Sequence, residues 1–234
     1  MFAIYKREIK AYFTSPIGYI FVALFLIAAG VAFSTTTLMS STSDVAQYYS
    51  YMLFMFVVAV PLLTMKLFSE EKKLKTEQVL LTSPVSLGSI VLAKYLAALT
   101  LFALTLLLST LNFIGLYMYG TPNTAILISS TVGIFFIGSA FIAIGVFISS
   151  LTENQLVSAI GSIFVILALL ALGLVSSSIT NDVLRTVVKW ISIFDRYYSF
   201  NYGLFDINAV VYYVSISVVF LFLTVRVYEK RRWE

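Results

Sequence analysis

The chain has 234 residues, of which 60% are hydrophobic and only 11% are charged, and its mean hydropathy is +0.98. A soluble core does not require so apolar a composition, so we expect an all-α polytopic membrane protein with no large soluble domain. His and Cys are both absent, which excludes imidazole bases, thiolate nucleophiles, disulfides and the common zinc or haem ligand sets. The net charge of +4 is attributed to the membrane surface and not to a nucleic-acid partner. No catalytic residue and no metal site are predicted.

Six apolar segments are long enough to cross a membrane. They lie near residues 17–38, 50–68, 88–119, 124–150, 156–176 and 208–228, within one domain of residues 1–234. If the N-terminus is inside, the basic residues of the inner segments are Lys6, Arg7, Lys10, Lys66, Lys72, Lys73, Lys75, Lys94, Arg226, Lys230, Arg231 and Arg232. The outer segments then carry only Arg185, Lys189 and Arg196. The positive-inside rule therefore predicts that both termini are cytoplasmic.

Residues 1–15 are predicted to form an amphipathic helix at the inner membrane surface. Its apolar residues recur at steps of three and four, and the Ser15-Pro16 pair ends it before the first span. Two interpretations are open: a general juxtamembrane anchor, or a helix with a specific docking role. The candidate residues of this interfacial helix are Tyr5, Lys6, Arg7 and Lys10.

The segment of residues 69–86, between the second and third spans, is highly charged and long for a simple turn. Charged residues four apart and an apolar edge around Leu74 and Leu81 predict a short helix that ends at Pro84. Such a helix can insert into a groove of a cytosolic partner and pass rigid-body motion to both spans. The alternative is a solvated hairpin loop with ordinary helix-stabilising pairs.

Few polar residues are predicted at membrane depth. Lys94 lies about one and a half turns into the third span and is expected to extend toward the inner headgroups; the alternative is a charge that faces a substrate. The spans hold no acidic residue or His at depth, which argues against a proton relay. Small residues in the fourth and fifth spans allow close approach of helices.

The outer loop of residues 177–207 is predicted to form short helices that dip back into the membrane before the sixth span. Asn181 or Asp182 can cap the first of these helices, and an aromatic run follows it. The alternative is an aromatic belt that merely anchors the protein. The candidate residues are Trp190, Asp195, Arg196, Tyr197 and Tyr198.

Three stretches resemble a known family. They are EEKKLKTEQVLLTSP from Glu70 with the later Lys94, the turn from Ser149 to Gln155, and the terminal FLTVRVYEKRRW. Together they resemble the type-2 ATP-binding-cassette (ABC) exporter permeases, in particular the branch of gliding-motility and copper-enzyme-maturation permeases. Relatives often have Gly at the position of Lys75, so the opening of residues 69–86 is expected to be more helical here.

The resemblance implies a permease of the bacterial inner membrane that pairs with a second permease, either identical or different. Cytosolic ATPase subunits would bind ATP and Mg, and this chain contains no phosphate-binding loop of the Gly-x-x-x-x-Gly-Lys-Ser/Thr type. Residues 69–86 would dock on the ATPase, the outer helices would form a gate beside membrane lipid, and the cargo would be amphipathic or lipid-linked. The alternatives are a non-transporting scaffold of a motility or secretion assembly and, less favoured without His or Cys, an intramembrane enzyme. The implied coupling residues are Glu70, Glu71, Thr76, Glu77, Leu80 and Leu81.

Overall fold

The computed structural model describes residues 1–78, 85–176 and 181–233. Over these residues the chain forms helices and contains no strand, which confirms the all-α expectation. The helices are α1 (Phe2–Thr14), α2 (Pro16–Phe33), α3 (Ala46–Thr64), α4 (Ser69–Lys73), α5 (Leu87–Ser109), α6 (Asn112–Tyr119), α7 (Thr124–Leu151), α8 (Gln155–Ser176), α9 (Asp182–Ile191), α10 (Ile193–Tyr197) and α11 (Ile207–Trp233). A π-helical turn, Ser34–Leu38, extends α2, and a 3-10 helix, Tyr198–Tyr202, follows α10.

Among the described residues, six helical stretches are long and apolar enough to cross a membrane, as the sequence predicted. Their bounds are Pro16–Leu38, Ala46–Lys73, Leu87–Met118, Thr124–Leu151, Gln155–Leu174 and Ile207–Arg231. Consecutive stretches run in opposite directions. The bundle therefore has one end with α1, α4 and the end of α11, called here the charged end, and an opposite end with α9 and α10.

Helix α7 is the centre of the bundle and packs against α3, α5, α8 and α11. Two glycines let its neighbours approach closely. A Cβ added at Gly138 would lie 2.3 Å from the Phe102 ring of α5, and one at Gly145 would lie 2.3 Å from the Thr64 hydroxyl of α3. The packing of α7 therefore depends on the absence of side chains at these positions.

Local sequence signals explain where the helices begin. Ser15 is extended and Pro16 occupies the first turn of α2, where its missing N–H costs nothing. The side chains of Ser86, Asn123 and Asp206 accept hydrogen bonds from backbone N–H groups at the starts of α5, α7 and α11.

The predicted short helices before the last span are present as α9, α10 and the 3-10 turn. Asn181 accepts a hydrogen bond of 3.1 Å from the Val183 N–H, so Asn181 caps α9. Helices α9 and α10 pack on α8, while the 3-10 turn packs on α7. This arrangement closes the opposite end of the bundle with a layer of aromatic residues.

Candidate functional site

Helix α4 is fastened to the end of α7 by hydrogen bonds. The Ser149 hydroxyl accepts from the backbone N–H groups of Phe68 at 3.1 Å and Ser69 at 3.2 Å. The first N–H groups of a helix have no acceptor within the helix, so the Ser149 hydroxyl supplies an acceptor at the start of α4. The ammonium group of Lys72, which is 3% exposed, donates to the Ser150 carbonyl. The end of α7 is therefore a fixed support for α4.

The helical conformation of residues 69–78 is interrupted at Lys75, just after α4. This break is contrary to the expectation that the start of residues 69–86 is more helical. Lys75 has a φ of 56°, which lies in the left-handed region. Its N–H is bonded to the Lys72 carbonyl at 3.0 Å, while the Thr76 N–H is bonded to the Glu71 carbonyl at 3.0 Å. The expectation was wrong because it relied on helix propensity, whereas Lys75 adopts the conformation that glycine takes most easily. Glu77 is helical again.

Lys94 is at the centre of a buried ion cluster at the charged end. Its ammonium nitrogen lies 3.0 Å from a carboxylate oxygen of Glu71 and 3.2 Å from one of Glu8, and it donates to the Leu67 carbonyl at 2.7 Å. The Lys94 side chain is only 1% exposed. The expectation that Lys94 extends to the headgroups is therefore wrong. Two carboxylates compensate its charge within the protein, which makes its burial tolerable.

Arg7 completes this cluster from the side of α1. Its guanidinium lies 2.6 Å from the Glu8 carboxylate and 2.8 Å from the Glu71 carboxylate. Two cations thus face two carboxylates, and the cluster is formally neutral. Because its members come from α1, α4 and α5, it joins three elements that are far apart in the sequence. We call Arg7, Glu8, Glu71 and Lys94 the ion cluster below.

Helix α1 packs into the bundle through further contacts. The Tyr12 hydroxyl donates to the Leu63 carbonyl near the end of α3 at 2.9 Å, and the Tyr5 hydroxyl lies 2.9 Å from the Thr100 hydroxyl of α5. Burial raises the pKa of Tyr12 well above its usual range, with a smaller contribution from Glu8, so the phenol stays a neutral donor. Lys6 and Lys10 are exposed. The predicted interfacial residues therefore divide between packing (Tyr5), the ion cluster (Arg7) and the surface.

The end of α11 also contacts residues 68–78. The rings of Phe68 and Tyr228 lie 4.9 Å apart between centroids, and Tyr228 is buried. An Arg231 nitrogen lies 3.7 Å from a carboxylate oxygen of Glu77. The sixth span therefore ends against the same short segment as the ion cluster.

The structure separates the predicted coupling residues into two groups. The side chains of Glu71 and Glu77 are 17% and 19% exposed and pair with basic residues of the same chain. Glu70, with a 40% exposed side chain, lies 3.5 Å from Lys66, and Thr76 is exposed. Leu80 and Leu81 lie outside the described residues.

Glu8 and Leu74 belong to this region but were not assigned a role by sequence reasoning. A lysine inside a span requires a counter-charge, and this signal could have directed attention to Glu8, which stands among basic residues in α1. Leu74 was recognised only as part of an apolar edge; in the structure it is 63% exposed.

The candidate residues of the outer loop also divide between core and surface. The Arg196 guanidinium lies 4.3 Å from the centre of the Tyr212 ring and donates to the Trp190 carbonyl at 3.3 Å. Tyr197 is 1% exposed, and burial raises its pKa well above the usual range of a phenol. Trp190 and Tyr198 are 71% and 57% exposed. The Asp195 N–H donates to Ser192, the cap of α10.

The described residues thus form a bundle of six apolar helical stretches whose charged elements are joined at one end. A family model described as ABC-2 family transporter protein matches residues 26–228. The chain therefore belongs to the ABC-2 transporter family and is a membrane component of an ABC transporter, not a catalytic domain. Members of this family typically work with a cytosolic ABC ATPase that handles ATP. A search of curated proteins found no match.

Proposed function

We propose that this chain is the permease subunit of an ATP-driven exporter in the bacterial inner membrane, and that residues 69–86 receive motion from a cytosolic ATPase. The observation that carries the proposal is the attachment of the described part of this segment to four other elements. Glu71 joins it to α1 and α5, Lys72 joins it to α7, and Glu77 lies against α11. A displacement of so short a segment would therefore act on several spans at once.

The exposed side of this segment is the proposed contact with the ATPase. Leu74 is an exposed apolar residue between charged neighbours, and Thr76 lies on the same turn. A single apolar side chain of this kind fits a pocket on a partner. Glu70, Leu80 and Leu81 are proposed to extend this contact, whereas Glu71 and Glu77 would transmit its motion to the bundle.

The remaining features of the proposal rest on the resemblance and on charge. The charged end carries most of the basic residues, so it is placed in the cytoplasm. The complex would contain a second permease subunit, two ATPase subunits with ATP and Mg, and surrounding lipid. Trp190, Asp195, Arg196, Tyr197 and Tyr198 would then belong to an outer gate. The cargo is proposed to be amphipathic or lipid-linked, and the branch of gliding-motility and copper-enzyme-maturation permeases is the favoured one.

A matched pair of leucine substitutions tests the docking surface. Leu74 at the charged end and Leu204 at the opposite end are each 63% exposed. Leu74→Glu should abolish co-purification with the cytosolic ABC ATPase partner, because it places a charge in the apolar contact, while Leu204→Glu should not. Equal recovery of the ATPase with both variants would contradict the proposal. Docking without any cargo-stimulated ATP hydrolysis would instead favour the non-transporting scaffold.

A charge exchange separates transmission from direct contact at Glu77. Glu77→Arg alone should uncouple ATP hydrolysis from transport, because it replaces the carboxylate beside Arg231 with a second cation. The double variant Glu77→Arg with Arg231→Glu restores opposite charges and should recover coupling if Glu77 acts within the chain. A double variant as defective as Glu77→Arg would show that Glu77 contacts the ATPase itself.

A further inference from the structure

A cavity of about 260 Å³ lies between α1, the start of α2 and the residues that follow α3. Of the residues proposed to contact the ATPase, only Glu70 lines this cavity, and no residue of the aromatic layer at the opposite end does. Its lining is mixed, with both signs of charge, three hydroxyl residues and apolar side chains. The polar residues of the lining are Glu8, Tyr12, Thr14, Ser15, Lys66 and Glu70.

The position of the cavity corresponds to the headgroup level of a membrane. It lies where the amphipathic α1 meets the first span, at the extended residue Ser15. Two exposed aromatic residues, Phe13 and Tyr19, flank this junction. Their rings lie 6.1 Å apart in an edge-on arrangement. Aromatic side chains are enriched at membrane interfaces. The cavity therefore opens where lipid headgroups would be present.

The charges of the cavity match a headgroup that carries both a cation and a phosphate. The Lys66 ammonium and the Glu70 carboxylate are 3.5 Å apart and only partly buried, so both can exchange partners. Lys66 would receive the phosphate, and Glu70 would accept hydrogen bonds from an ammonium group. The Glu8 carboxylate is already held by Arg7 and Lys94, so Glu70 is the carboxylate of the lining that can bind the headgroup.

A separate apolar groove of about 910 Å³ lies along α2 and α3. Ile17 lines the cavity and Ile20, about one turn further along α2, opens the groove. On α2 the groove extends to Thr35, a length of about 22 Å at 1.5 Å per residue. This exceeds half of a hydrocarbon core about 30 Å thick, so the groove spans the depth of one leaflet.

We propose that α1, α2 and α3 bind one membrane phospholipid whose headgroup carries a primary ammonium, as in phosphatidylethanolamine. The headgroup occupies the charged cavity, and an acyl chain lies in the groove. A charged cavity and an apolar groove that begin one turn apart on α2 favour a lipid over a second protein chain, which would not need an ammonium-binding site at that depth. The bound lipid is a component of the subunit, and its binding does not require the ATPase.

The headgroup is tested with the full chain, without ATPase, in vesicles containing equal amounts of phosphatidylethanolamine, phosphatidylcholine and phosphatidylglycerol. Native mass spectrometry after gentle extraction should show retained phosphatidylethanolamine. Glu70→Gln should lower this retention about tenfold, as expected for loss of a charged hydrogen bond. Glu229→Gln is the matched control, since Glu229 has a 41% exposed side chain paired with Arg226 and lies outside the cavity.

Three results would overturn the headgroup assignment. They are equal retention of all three lipids, unchanged selectivity in Glu70→Gln, and full displacement of the lipid by soluble phosphoethanolamine. The last result would identify a site for a free phosphorylated amine. Lys66→Gln provides a second variant and should lower retention of phosphatidylethanolamine as well, because it removes the proposed phosphate partner.

The groove is tested by filling it. Ala28→Phe places a large side chain in the groove and should lower lipid retention severalfold, while Val218→Phe on the exposed face of α11 should not. Because the chain has no cysteine, a single Val31→Cys variant tests whether a second copy of the chain covers the groove. Efficient disulfide-linked dimers of Val31→Cys in membranes would show that a second copy covers the groove and would overturn the lipid assignment.

Discussion

At the scale of single residues, Lys94 shows how a charge within a membrane-spanning helix can become a structural element. Its ammonium group is enclosed by Glu8, Glu71 and the Leu67 carbonyl, beside the ring of Phe68 at 5.1 Å. Each charge in such a cluster is costly to bury alone and acceptable together with its partners. The stability of the charged end therefore depends on the balance of the cluster more than on any one ion pair.

Removal of Lys94 should destabilise the chain strongly. Lys94→Met leaves Glu8 and Glu71 facing each other with only Arg7 to compensate them, and breaking a buried pair costs about 3–5 kcal/mol. The double variant Lys94→Met with Glu71→Gln removes one charge of each sign and should recover much of the loss. Thermal unfolding in detergent measures both effects, with the exposed Lys73→Met as control. A Lys94→Met variant as stable as Lys73→Met would contradict the cluster.

The left-handed conformation of Lys75 makes a second prediction at this scale. Lys75→Gly should keep or slightly raise stability, because glycine adopts a φ of 56° without steric cost. Lys75→Pro fixes φ near −65° and removes the N–H bonded to Lys72, so it should lower stability by about 1 kcal/mol or more. Thermal unfolding of the two variants should separate them in this order. A Lys75→Gly variant clearly less stable than the wild type would instead indicate a helical Lys75.

At the scale of elements, the central α7 decides how closely its neighbours pack. A Cβ added at Gly145 would meet Thr64 of α3, whereas one at Gly30, in the last turn of α2, would have no neighbouring atom within 4 Å. Both glycines are helical, so alanine at either position gains the same intrinsic helix propensity, about 1 kcal/mol. They differ only in the space around them.

This difference predicts opposite effects for two identical substitutions. Gly30→Ala should raise the unfolding temperature, because only propensity changes. Gly145→Ala should lower it, since the added methyl group forces α3 and α7 apart at a cost of about 1–3 kcal/mol. The unfolding temperatures of the purified full-length variants test both. A stabilised Gly145→Ala variant would mean that α3 and α7 do not approach closely.

At the scale of the whole molecule, the fold brings α1, α4 and the end of α11 to one end of the bundle. The sign of the charge there predicts the orientation, since the basic residues cluster at that end. The spans themselves expose large apolar faces, and the described window of α11 is only 17% buried. Lipid or other subunits are therefore expected to cover these faces.

Single cysteines in the naturally cysteine-free chain test the orientation. Lys73 lies at the charged end. Met39 lies at the opposite end and is 78% exposed. Each is replaced by cysteine in a separate variant. An impermeant maleimide should label Met39→Cys in sealed right-side-out vesicles and Lys73→Cys in inverted ones. The reverse pattern would overturn the cytoplasmic placement of the charged end.

The sequence by itself determined the class of protein, the six apolar spans, a cap at Asn181 or Asp182, and the resemblance to ABC-2 permeases that the family model confirmed. These features depend on composition, apolar length and residues close together in the chain. Such information is local, because a long apolar helix satisfies its backbone internally whatever its neighbours are.

Only the tertiary structure decided the environment of Lys94, the break at Lys75 and the contacts of Glu71 and Glu77. A lysine near the end of a span has two physical solutions: it reaches the headgroups or it finds a counter-charge. Which one applies depends on whether a carboxylate from a distant segment arrives within about 4 Å. Glu8 lies 86 positions from Lys94, and no local pattern states that α1 folds back to place it there.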